Sequence, residues 1–283
     1  MTIAVATRRQ RRTLVFRSAT FWVGAGIIVF WTLCAILGKH ITPYDPAGNP
    51  QLDILNKLKA PSTQHWFGTD QLGRDVFSRV IAGARSVLSV APAATLLGTV
   101  AGTTLGLITG YYRGMVDEIV NLVLNAFLSI PLVITGMLML AALGPNKLGF
   151  ILVIGLVFTP IIARTVRASV LAERELDYVT AARLRRENGL HIMFVEILPN
   201  VMGPIIVEFT VRLGYSIFTI LTLAFFGFGI EPSIPDWGLA IRDHYALLNA
   251  GIWWPTLFPA LAIASLVVGV NLLADGIAQA FET

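Results

Sequence analysis

Long stretches of this sequence carry no charged side chain, and their lengths match what a bilayer demands. Residues 18–38 lie between Arg17 and Lys39, 86–112 between Arg85 and Arg113, and 119–146 between Glu118 and Lys147. A shorter run, 148–163, ends at Arg164. Apolar character resumes after Glu196 and continues to 230, broken only by Glu208 and Arg212, and a last run covers 244–274. A helix crosses the roughly 30 Å hydrocarbon layer in about 20 residues. The reading is therefore an all-α integral membrane protein with six transmembrane helices, and an even count puts both termini on one side. Composition agrees: 55% of residues are apolar and 13% charged, against roughly 25% charged in a soluble domain. The single cysteine, Cys34, excludes an internal disulfide and a cysteine-based metal cluster.

Lys and Arg set the expected orientation. Arg8, Arg9, Arg11, Arg12 and Arg17 precede the first span, Arg113 follows the second, and Arg164, Arg167, Arg174, Arg183, Arg185 and Arg186 follow the fourth. These twelve share the terminal side and eight others the opposite one, which predicts cytoplasmic termini. The chain then divides into a basic tail (1–20), a first span (21–38), an extracytoplasmic segment (39–85), a five-helix core (86–273) with a cytoplasmic loop (167–197), and a tail (274–283). The first span exceeds a 7–15-residue signal-peptide core, and Leu37-Gly38-Lys39 offers no small-x-small cleavage site, so it reads as a retained anchor. Trp22, Tyr111, Tyr112, Trp253 and Trp254 fall where interfaces are expected. Pro131 and Pro160 are expected to kink spans three and four.

Span two repeats glycine every fourth residue: Gly98, Gly102, Gly106 and Gly110. Such a stripe lets another backbone approach closely. It serves either packing inside the bundle or contact with a second subunit, and Thr95, Thr99 and Thr103 beside it could bond across the contact. From Asp70 onward, Leu72, Val76, Val80 and Ala84 recur at helical spacing, with Thr69 or Asp70 as N-cap. This predicts an amphipathic helix on the outer membrane face. Arg74, Asp75 and Arg79 fall outside its apolar stripe, so it either anchors the bundle or offers a docking surface. Glu208 and Arg212 stand four apart in span five, in the favourable order. Each charge costs about 2.5–3.5 kcal/mol at mid-membrane, so they should pair. They either line a translocation path or partner interface, or neutralise one another structurally.

The loop after span four reads Asp177-Tyr178-Val179-Thr180-Ala181-Ala182-Arg183-Leu184-Arg185-Arg186-Glu187-Asn188-Gly189-Leu190 and closes with Ile197-Leu198-Pro199-Asn200. It is far longer than the two to eight residues usual between bundled helices. Its Ala181-Ala182 and Ile197-Leu198-Pro199-Asn200 resemble the coupling motif of ABC-importer permeases, in the form found in peptide importers. Phe67-Gly68-Thr69-Asp70-Gln71-Leu72-Gly73-Arg74-Asp75-Val76-Phe77-Ser78-Arg79-Val80-Ile81, Pro235-Asp236-Trp237-Gly238 and Asn271-Leu272-Leu273-Ala274-Asp275-Gly276 resemble the dipeptide/oligopeptide (peptide/nickel) group with a long first periplasmic loop. The likeness runs from residue 20 onward. Thr180 stands where that family usually has Glu, Arg186 where it usually has Gly, and Ile220 where the group often has Glu. The first two replacements imply a loop that turns at a different point, or a different charge pattern toward the ATPase.

The resemblance implies a type I importer-like bundle with no catalytic residue of its own. Tyr178, Thr180, Ala181, Ala182, Arg183, Arg185, Arg186, Glu187, Asn188 and Gly189 would couple to a separate ATPase. Asp70, Arg74, Asp75, Asp236 and Trp237 would face a substrate-binding protein. The implied partners are a second, homologous permease in a heterodimer, two ATPase subunits or domains, the extracytoplasmic binding protein and membrane lipid, with no nucleic acid. ATP and Mg would sit on the ATPases, and this chain would bind no cofactor and no metal. Its four lysines sit in no G-x-x-x-x-G-K-[ST] pattern, and it has no H-E-x-x-H or G-x-S-x-G. The expected cargo is a di- or oligopeptide. The alternatives are nickel chelates or another small solute through the same fold, or an ion-gradient-driven secondary transporter, whose internal repeats are not evident here.

Overall fold

The computed structural model describes residues 18–47, 54–229 and 234–282. The basic tail with Arg8, Arg9, Arg11, Arg12 and Arg17 lies outside the described residues. Among those described, the longer helices are α1 (Ala19–Ile41), α2 (Val76–Tyr112), α3 (Gly114–Leu128), α4 (Leu132–Leu143), α5 (Lys147–Glu173), α6 (Asp177–Leu184), α7 (Met202–Phe225), α8 (Trp237–His244) and α9 (Trp254–Glu282). Five are long and apolar enough to cross a membrane, and α3 with α4 form a sixth traverse bent by 89°.

The expected outer amphipathic helix does not exist as a separate element. Residues 69–75 form a tight turn closed by a Thr69–Asp75 bridge, with Gly73 at φ 79°. The helix starts at Val76, capped by Asp75 and not by Thr69 or Asp70. Neither Gly83 nor Pro92 interrupts it, and the helix runs straight from Val76 into span two. The result is 37 residues long, about 55 Å at 1.5 Å per residue.

The glycine stripe of α2 packs inside the chain, against α5. A Cβ on Gly98 would lie 2.9 Å from the Gly155 carbonyl oxygen, one on Gly102 2.9 Å from that of Thr159, and one on Gly106 2.8 Å from that of Ala163. The two backbones touch, which only hydrogen side chains permit. The threonines do not bond across this contact. Thr95 turns back to the Ala91 carbonyl (2.8 Å), while the Thr99 and Thr103 hydroxyls are buried without a partner.

Span three is broken rather than kinked. Pro131 cannot donate to the helix ladder and disfavours helical geometry at the preceding residue, so the chain leaves the helix at Ser129 and restarts at Leu132. The first half is tied to α5 by Arg167, which donates to both Asp117 oxygens (2.6 and 2.5 Å), and by Arg164 donating to Asn125 (2.5 Å). Span four extends past Arg164 to Glu173. Six traverses bring both ends of the described chain together, with Phe21 of α1 against Gly276 of α9. They lie at the same end of the bundle as the 174–200 loop. The other end is a cap built from 54–75, α8 and the start of α9.

Candidate functional site

The loop is rooted on the last turn of α2. Arg174 donates to the carbonyls of Tyr111 (2.5 Å) and Gly110 (3.3 Å). Burial, with Arg113 and Arg183 nearby, draws its pKa below the ordinary guanidinium value. Helix α6 then turns Val179 and Ala182 into the core, half-buries Tyr178 and Ala181, and exposes Thr180, Arg183, Arg185 and Arg186. Leu184 is 80% exposed, an apolar tip among arginines. The Arg183 guanidinium lies 5.2 Å from the Tyr111 ring centre, an arrangement attractive to a cation.

The turn after α6 stays at Arg186, which adopts φ 58°. Its N–H bonds the Arg183 carbonyl (2.9 Å), and that of Glu187 reaches back to Ala182 (3.2 Å). This is a Schellman cap, whose left-handed position normally takes glycine. Of the two expectations for this loop, a turn moved to Gly189 is not what the chain adopts: the left-handed residue is Arg186 itself. Gly189 has another use: a Cβ there would lie 2.8 Å from the Tyr112 hydroxyl. Asn188 caps the next turn by accepting from the Leu190 N–H (3.1 Å). A π-helical stretch, Ile192–Ile197, follows. It delivers Asn200, whose side chain donates to the Tyr178 hydroxyl (3.1 Å), while Tyr178 donates to Glu173 (2.9 Å). Burial pushes the Tyr178 phenol up to about 12, so it remains a donor. The two halves of the motif, 22 positions apart, thus meet on one hydroxyl.

Glu187, His191 and Glu196 converge with ligand atoms within 4.8 Å of one another, which is where a cation could sit. Arg185 already stands there, donating to Glu187 (2.7 Å) and lying 3.7 Å from Glu196. Its guanidinium supplies the positive charge.

At the capped end, Asp70, Asp75, Asp236 and Trp237 lie in the interior instead of on an outer face. Asp70 accepts from the Leu72 and Arg74 N–H groups and from Arg74 Nε (2.7 Å). Asp75 pairs with His65 (2.9 Å) and caps α2 through Ser78. Asp236 caps α8 through Gly238 and Leu239, and Trp237 donates to the Val80 carbonyl (2.8 Å). Trp254, expected at an interface, is buried and donates to Thr69. Each motif residue here holds backbone in place. In mid-bundle, Arg212 donates to Glu208 (2.6 Å) and lies 5.2 Å from the Tyr215 ring centre. Ile220 is fully buried.

Residues 102–283 match the family described as "Binding-protein-dependent transport system inner membrane component". The chain belongs to this family. It is 36% identical to the dipeptide transport system permease protein DppC of Alkalihalophilus pseudofirmus over 92% of this chain and 84% of that one. It is also 36% identical to the glutathione transport system permease protein GsiD of Salmonella typhimurium, over 92% and 85%. With the di/tripeptide transport system permease protein DppC of Pseudomonas aeruginosa it shares 32% identity over 90% and 84%. As a member of this family it is a multi-pass inner-membrane permease of a binding-protein-dependent ABC importer, a class that works with an ATPase and a binding protein.

Within the family's loop motif, sequence reasoning missed Glu173, Arg174 and Tyr112, which hold the loop but lie outside its signature. The arginine at the glycine position carries a testable cost. A left-handed non-glycine residue is strained by roughly 1–2 kcal/mol. Arg186→Gly is therefore expected to raise stability by about 1 kcal/mol, read as slower hydrogen exchange across α6.

Proposed function

We propose that this chain is one of two non-identical membrane subunits of an ATP-driven importer of di- or oligopeptides, with both termini and the 174–200 loop in the cytoplasm. The observation that carries the coupling half of this reading is α6. It stands on the bundle end with an exposed Leu184 ringed by Thr180, Arg183, Arg185 and Arg186, while its inner face packs on the π-helical stretch Ile192–Ile197 and Tyr178 and Arg183 tie it to Glu173 and Tyr111. An exposed apolar tip with charged edges fits a cleft in a soluble partner. Two ATPase sites would hold ATP and Mg, and no catalytic step is assigned to this chain. Closure of the ATPases would push α6, and the rigid glycine contact between α2 and α5 would carry that push to the capped end.

Peptide cargo is supported by the names of the relatives, and specificity would rest mainly with the binding protein. The buried residues of the cap would shape the surface that this protein meets. Gentle purification of tagged chain from native membranes tests the assembly: an ATPase and a second permease are expected with it. Uptake of labelled peptide into vesicles should then require ATP. Uptake driven by an ion gradient without ATP would replace this reading with a secondary transporter.

Glu208 and Arg212 are proposed to face the path or the partner permease. Arg212→Leu leaves a half-buried carboxylate without its partner, a change that costs less than the roughly 3–5 kcal/mol of fully buried pairs. The double change Glu208→Gln with Arg212→Leu removes that cost. If the pair lines the path, the double variant assembles normally and transports at least tenfold more slowly. Normal transport would assign the pair to structure alone.

A further inference from the structure

His244 ends α8 inside the cap, 2% exposed. Its Nδ1 lies 2.6 Å from the Ala240 carbonyl, so Nδ1 carries the proton and donates, and Nε2 is left as an acceptor. That Nε2 is buried and has no partner. His244 borders a recess with about 10 Å³ of room for the centre of a water molecule, also lined by Asp70, Arg79 and Asp236. A site that size admits one water when two to four polar groups surround it. Those groups are present in the right sense: Arg79 donates, while the carboxylates and Nε2 accept.

We propose that this recess holds one internal water, through which His244 is bonded to the Asp70–Arg79–Asp236 cluster, and that acid loosens the cap at this point. The water donates to Nε2 and to a carboxylate and accepts from Arg79. It joins three chain segments distant in sequence: the turn before α2, α2 itself and α8. Protonating Nε2 turns its acceptor into a donor and breaks the pattern.

The charges facing His244 are Asp70 and Arg74 from the turn, Arg79 from α2, and Asp236 and Asp243 on α8, while α9 presents Pro255 and Pro259. Burial lowers the His244 pKa from its ordinary value, and Arg74 adds to this against Asp70 and Asp243. A lowered value means that the neutral form stabilises the cap fully above the ordinary pKa of about 6.5. That contribution is lost as pH falls through the folded value. Asp236 works in the opposite direction: burial raises its pKa, so its protonation relieves a cost.

The test is amide hydrogen exchange of segments 65–80 and 236–247 in the purified transporter, corrected for intrinsic rates, at pH 7.5 and 5.0. The native chain should lose protection in both segments by roughly threefold to tenfold at pH 5.0. His244→Gln keeps a polar atom near Nε2 but does not titrate, so its protection should not fall at pH 5.0. His244→Met removes the acceptor and should expose α8 roughly tenfold or more already at pH 7.5. An unchanged acid response in the Gln variant, or full protection at pH 7.5 in the Met variant, overturns the proposal. If the Met variant fails to assemble, a high-resolution map of the native transporter decides. No density within hydrogen-bond distance of Nε2 would overturn the site.

Discussion

Replacing Gly106 with leucine is expected to abolish accumulation of folded protein in the membrane. A Cβ at this position would lie 2.7 Å from the Val166 Cβ, 2.8 Å from the Ala163 carbonyl oxygen and 2.9 Å from the Arg167 N–H nitrogen. Two of those three atoms are backbone, so no rotamer change relieves the clash. Helix α2 must move off α5, and the neighbouring contacts at Gly102 and Gly110 open with it. Overpacking a tight core costs about 1–3 kcal/mol for small insertions. That is the expectation for Gly106→Ala, seen as a lower melting temperature in detergent. The three further carbons of leucine carry the cost beyond what a marginally stable chain tolerates. Gly26 provides the internal control. A Cβ there meets nothing within 4 Å, so Gly26→Leu should accumulate and melt like the native chain. Normal accumulation of Gly106→Leu, measured by size-exclusion profile after membrane extraction, would mean that the α2–α5 contact is not what closes the bundle.

The second large effect is expected at Leu184, and it separates coupling from folding. Leu184 is 80% exposed and makes no contribution to the core, whereas its neighbours Val179 and Ala182 are fully buried. Leu184→Asp should therefore leave the melting temperature unchanged. In the proposed assembly the same change places a carboxylate in the cleft of the ATPase, where a buried unpaired charge costs several kcal/mol. ATP-dependent peptide uptake should fall by more than tenfold, and the ATPase should be lost on purification. Ala182→Leu makes the opposite comparison, because it overfills the root of α6 and should lower stability along with transport. Uptake at the native rate in Leu184→Asp would remove α6 as the coupling element.

The consequence of these two results together is mechanical. A lever works only if it is stiff where it is mounted and free where it is pushed. In the proposed assembly the backbone contact between α2 and α5 would supply stiffness, and α6 the free surface. The bent pair α3–α4 differs from both: it is broken at 129–131 and held to α5 at one end by the Arg167–Asp117 and Arg164–Asn125 bonds.

The helices and the long loop after span four were legible in the sequence because each rests on a local rule. Apolar runs of bilayer length have no alternative that satisfies their backbone, the Ala181-Ala182 and Leu198-Pro199-Asn200 spacing is a sequence object, and Glu208 and Arg212 are neighbours on any helix. What the tertiary structure decided is everything that depends on what a residue meets. A four-residue glycine stripe looks the same against α5 or against another subunit, and only the packed chain assigns it to α5. Asp70, Asp75 and Asp236 carry the polarity of surface residues, yet they are buried with local partners, namely Arg74, His65 and the first turn of α8, while Trp237 crosses the cap to the Val80 carbonyl, 157 positions away. Arg186 keeps the turn against its own conformational preference because the Schellman hydrogen bonds and the anchored Val179 and Ala182 fix the backbone there. Local sequence sets which segments become helices. The energy of contacts far apart in the chain sets which faces they bury.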